Sequence, residues 1–103
     1  MPSIPLSVHL AAIFQHEAME EQHWGEYYRR NCMELSERMR QRDVTIGALQ
    51  QTGSRKKIVR VVAYLREIQN GDMEKLDWYR AMVIESRHRL RCKQWFIIVM
   101  MNQ

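Results

Sequence analysis

Little in this 103-residue chain punctuates or cross-links it: it has two Pro, four Gly and two Cys. So few Pro and Gly exclude a collagenous, linker-like or low-complexity polymer. Cys32 and Cys92 lie far apart with no second Cys near either, so no disulfide framework and no metal knuckle is indicated; both read as reduced thiols. Long hydrophobic runs are also missing. The longest, Trp95 to Met101, has seven apolar residues, whereas a spanning helix needs about 20, so no integral membrane segment is expected. No positive charge precedes the apolar stretch from Leu6 to Phe14, and Arg is absent there, which speaks against a secretory signal and a mitochondrial presequence. The expected location is intracellular, cytoplasmic or nuclear.

Catalytic signatures are absent as well. No GxSxG, HExxH, CxxC or phosphate-loop pattern occurs, so the expectation is a non-enzyme without catalytic residues, cofactor or metal. His9, His16 and His23 recur every seven residues. That spacing is about 10.5 Å of helical rise, too far for two of them to share one ion on a straight helix. His16, Glu20 and His23 are closer, yet no supporting residues are visible in sequence. The alternative is a solvated row flanking an interface, able to titrate between about pH 5 and 8.

What is present is a repeat. The segment Tyr28-Arg29-x3-Met33-Glu34-x3-Arg38-Met39-Arg40-x-Arg42 is echoed 51 residues later by Tyr79-Arg80-x3-Ile84-Glu85-x3-Arg89-Leu90-Arg91-x-Lys93. In the first copy Tyr28, Cys32, Leu35, Met39, Arg42, Ile46 and Leu49 follow in alternating steps of four and three, the stripe of a helix seeking another helix. The second copy sets Tyr79, Val83, Ser86, Leu90, Lys93, Ile97 and Met100 in the same places. A long cation thus sits on each stripe, where its methylenes can lie along the apolar surface and lift the charge to water.

The flanking segments complete an all-α reading. Leu6, Leu10, Ile13 and Phe14 have helical spacing, with Ser3 as a candidate cap and Pro5 in the first turn; Gly25 can end or bend this helix. Gly53 can end the next, with Ser54 capping a third from about Arg55 to Gln69 through Ile58, Val61, Val62, Leu65 and Ile68. Asn70-Gly71-Asp72 reads as its end, with Asp72 capping the last segment. In that segment cations alternate from Arg87 to Lys93, so strand remains an alternative to helix. The expected fold is one helical domain over residues 1–103, a hairpin or bundle of three or four helices with coiled-coil-like segments. The two copies are expected to pack together or against a second chain, so a homo-oligomer is expected.

Charge is unevenly spread. Residues 1–27 hold four Glu and no Lys or Arg, whereas residues 28–103 hold sixteen Lys and Arg against eight acids, for a net of +4 overall. Such a split suits head-to-tail self-association or an acidic partner. Arg55, Lys56, Lys57 and Arg60 crowd a helix start, where the dipole disfavours cations and a phosphate would relieve them. Arg38, Arg42, Arg80, Arg87 and Arg91 extend this set, and Trp24, Tyr27, Tyr28, Trp78 and Tyr79 supply rings that could stack on bases or close a bundle core. Two functions therefore compete. One is a helical adaptor or regulator binding a protein through Tyr28, Leu35, Met39, Ile46, Leu49, Tyr79, Val83, Leu90, Ile97 and Met100. The other is a basic helical binder of RNA or DNA backbones. Eight Met suit adaptable helix contacts and equally suit plain core filling.

Overall fold

The computed structural model describes residues 4–53 and 55–102, and among them there is no strand. Two long helices form a hairpin: α1 is Leu6–Gln51 and α2 is Lys56–Met101. The carbonyl of Pro5 accepts hydrogen bonds from the N–H groups of Val8 (3.0 Å) and His9 (3.4 Å), so α1 begins directly after the proline. The chain turns where Gly53 was expected to turn it. Thr52 bonds back to the Leu49 carbonyl through its N–H (3.2 Å) and its hydroxyl (2.7 Å), and Gly53 adopts φ +130°, a conformation that L side chains rarely take. Ser3 and Ser54, the expected caps, lie outside the described residues.

The count of three or four helices is not met, because the interior glycines do not interrupt either helix. Gly25 points inward. A Cβ built on it would stand 3.0 Å from the Ser86 hydroxyl, so its lack of a side chain permits close approach. Asn70-Gly71-Asp72 is helical throughout. Asp72 does not cap anything; it is buried and paired with Arg42, and this cross-helix partner favours continuing the helix. The segment from Arg87 onward is helix to Met101, because helix satisfies its backbone internally, whereas a lone strand would have no neighbour.

The chain divides into two compact units: residues up to Tyr28 with those from Ala81 onward, and Arg29–Arg80 between them. Within Arg29–Arg80 the helices run antiparallel. Leu35, Met39 and Leu76 form the buried cluster, with Cys32 and Tyr79 packed against it, and Ile46 and Val62 are buried toward the turn. The other unit is antiparallel too, with Gly25 against Ser86, Glu21 against Arg89 and Phe14 stacked on Phe96 at 5.1 Å between ring centres.

The four-three spacing is longer than the repeat. Ser7, Ala11, Phe14, Ala18, Glu21 and Gly25 carry it back from Tyr28, and Ile58, Val62, Leu65, Gln69, Asp72 and Leu76 carry it back from Tyr79; all are buried or half-buried. Apart from Phe14, the inward face of the first segment is therefore small and polar. Leu6 and Ile13, expected to pack inward, are 72% and 53% exposed, and Val61 also faces out. The two copies touch at their starts, where Tyr79 packs against the Leu35, Met39 and Leu76 cluster, but farther along each meets a non-copy segment of its own unit. Helices that turn at Gly53 match residues equidistant from the turn, which separates copies offset by 51 positions.

Replacing Gly47 or Gly71 with Ala places a Cβ in open space, with nothing within 4 Å. Each change should raise stability by about 0.5 to 1 kcal/mol, read by thermal unfolding. Gly25→Ala should gain less or lose. Equal gains at all three would contradict the close approach of Gly25 to α2.

Candidate functional site

The ten apolar residues expected to face a partner are all buried or half-buried on the inner stripes of the chain's own helices. Leu35, Met39 and Ile46 are buried and the other seven half-buried, so in the folded chain they offer less surface than the outer faces. The inner stripes also carry ions.

In Arg29–Arg80, Arg42 Nη1 donates to Asp72 Oδ2 at 2.6 Å and to Gln69 Oε1 at 2.8 Å. Gln69 Nε2 in turn donates to the Met39 carbonyl and to Asp43 Oδ1, both at 2.9 Å. The Arg42 and Asp72 side chains are only 13% and 9% exposed. Arg42 thus does not lift its charge to water, because α2 supplies an acid at the same level. Among the described residues no buried side-chain nitrogen or oxygen lacks a partner, as burial of such groups requires.

The corresponding cation of the second copy behaves likewise. Lys93 Nζ lies 3.2 Å from Glu21 and 3.6 Å from Glu17, and Arg89 Nε donates to both Glu21 carboxylate oxygens at 3.0 and 3.1 Å. Burial pushes the Glu21 carboxyl up, but the hydrogen bonds and charges of Arg89 and Lys93 outweigh it and hold it below its ordinary range. The same hydrogen bond raises Arg89 further. Part of the acidic-to-basic split of the sequence is therefore spent inside this unit.

The other candidates lie outside. His9, His16 and His23 are exposed, each two residues past an inner position and hence on the far side of α1, rather than flanking the inner stripe. His16 Nε2 stands 3.4 Å from Glu20 Oε1, and no cluster of three metal-ligating residues occurs among the described residues. Burial pushes the half-buried Cys32 thiol up, against the nearby Arg80 charge; Cys92 is exposed. Trp24 packs with Tyr27 and Tyr28, and Trp78 with Tyr79; in both groups the Trp is exposed, whereas Tyr28 and Tyr79 are half-buried.

Arg55, Lys56, Lys57, Arg60, Arg87 and Arg91 are exposed, and among the described residues none forms an ion pair. The first four belong to Arg29–Arg80 and the last two to the other unit. Arg42, expected to join them on a phosphate, is committed to Asp72. Among the described residues no helix is long and apolar enough to cross a membrane. No protein-family model matches the chain, and neither curated proteins nor solved structures include a match.

Glu21 generates a pH dependence of definite sign. Its carboxyl is depressed on folding, so its contribution is fully present above the unfolded value near 4.5 and is lost as pH falls through the lower folded value. Glu21→Gln should cost about 1 to 3 kcal/mol at pH 7 and make the loss of melting temperature below about pH 4.5 shallower. Parallel acid profiles for the two proteins would contradict this assignment.

Proposed function

We propose that this chain is a non-enzymatic helical protein-interaction module, an adaptor or regulator that uses the inner stripes to hold its hairpin and the outer faces to bind. One observation carries the reading. Nineteen large apolar side chains are at least 40% exposed among the described residues, Leu6, Met19, Met33 and Ile84 among the most exposed. Isolated surface apolar residues are ordinary, but so many on a small chain amount to surface that another protein would cover. Two free cysteines suit a reducing, intracellular setting, cytoplasmic or nuclear.

A second reading has its own observation. Arg29–Arg80 holds twelve Lys and Arg against seven acids, a net of +5. Arg55, Lys56, Lys57 and Arg60 stand exposed there at the start of α2, which suits contact with the phosphates of RNA or DNA.

Selection of displayed α-helical peptides on the immobilised chain, beside duplex and single-stranded nucleic acid at about 50 and 500 mM salt, separates the two. Peptides with apolar residues at three- and four-residue steps, retained at both salts, are the expected result. A chain that retains only nucleic acid, and releases it at the higher salt, would replace the first reading with the second.

A further inference from the structure

We infer that the groove beside the turn, between the end of α1 and the start of α2, docks an acidic amphipathic helix of a protein partner. The inference rests on the interaction-module reading and names the chemistry of its partner. A hollow of about 340 Å³ opens there, walled by Ile58, Val59, Val62 and Ala63, with the side chains of Gln50 and Arg66 also on its lining. An apolar concavity carrying a few placed polar groups is the usual form of a binding site. Along α2, Lys56, Val59, Ala63, Arg66, Asn70 and Met73 follow in steps of three and four, and all are exposed. From Val59 onward each comes one residue after an inner position, so this second stripe runs beside the inner one with the spacing that receives a helix.

Charge selects the occupant. Residues 44–66 hold five Lys and Arg and no Asp or Glu, whereas the rest of Arg29–Arg80 balances seven cations against seven acids. The whole net charge of this unit is thus gathered at its turn. All five cations are exposed, and among the described residues none of them forms an ion pair. Lys56 and Arg66 bracket Val59 and Ala63 on the stripe, ten residues apart, which is about 15 Å of helical rise. A partner helix that lays apolar side chains in the hollow meets both cations if it carries Asp or Glu at the same interval.

Shape separates this occupant from other acidic ones. A nucleic-acid backbone offers phosphates and sugars, which match the cations and leave an aliphatic hollow unfilled. A bilayer surface is flat on this scale, whereas a recess receives a projecting side chain. A helix supplied by a partner fills the groove and covers Val59 and Met73, which the hairpin leaves 56% and 45% exposed.

Fluorescence anisotropy of labelled helical peptides titrated with the full chain tests this, with the chain's helix content followed by circular dichroism. One peptide carries apolar residues at three- and four-residue steps between two Glu set about ten residues apart, the interval of Lys56 and Arg66. A second has Lys in place of Glu, and a third has the acidic sequence scrambled. The first should bind at least about tenfold more tightly than either other. Lys56→Gln with Arg66→Gln should weaken it about tenfold by removing the two charges, and Val59→Gln with Ala63→Gln about as much by making the hollow polar. Arg87→Gln with Arg91→Gln, two exposed cations of the other unit, should leave it unchanged. If the Val59/Ala63 pair lowers helix content, Val59→Ala is read in its place. Equal binding of the Lys or scrambled peptide, indifference to either pair of changes at the groove, or stronger competition by duplex DNA, phosphatidylserine vesicles or unlabelled chain than by unlabelled acidic peptide would each overturn the inference. A chain that prefers the Lys peptide would discard the acidic partner and keep the interaction-module reading, whereas one that binds DNA and none of the peptides would discard both.

Discussion

Two helices with no third to cover them can bury one stripe each, and this limit governs the protein. Among the described residues the buried apolar set is correspondingly short: Ala11, Leu35, Met39, Ile46, Val62 and Leu76. With so little core, the remaining inner positions need partners of matching chemistry at matching levels. Gly25 meets Ser86, Glu21 meets Arg89 and Lys93, and Arg42 meets Asp72 and Gln69.

These polar levels act on register. A slip of one heptad would leave Arg42 and Asp72 buried without each other, which costs several kcal/mol, whereas many apolar contacts would survive the slip. The ion pairs thus contribute specificity where the apolar stripe alone would be tolerant. They also explain why the outer faces can be rich in apolar residues: the inner stripes are distinguished by their polar levels, so an outer stripe does not compete for the same partner.

How much of this could be read from sequence depended on which residues occupied the stripe. From Tyr28 to Leu49 the apolar residues mark it directly. From Ser7 to Gly25 it runs, apart from Phe14, through small and acidic residues, and the eye is drawn to Leu6 and Ile13, which face outward. Asn70-Gly71-Asp72 has the local chemistry of a helix end, yet Asp72 is held by an arginine 30 residues away, a partner no local rule reveals. Extending the four-three count through Gly25, Gln69 and Asp72 would have found the inner polar residues. The outer faces were harder, because only the two-helix count makes them outer.

The central claim is that buried polar pairs across the hairpin fix its register. A double-mutant cycle on Arg42 and Asp72 measures it most directly, using Arg42→Met, Asp72→Leu and the pair, each followed by chemical unfolding. Each single change should cost about 2 to 4 kcal/mol by stranding its partner, and the pair should recover most of that loss, for a coupling of about 1.5 to 3 kcal/mol. Single losses within about 0.5 kcal/mol of zero, or strictly additive ones, would contradict the claim.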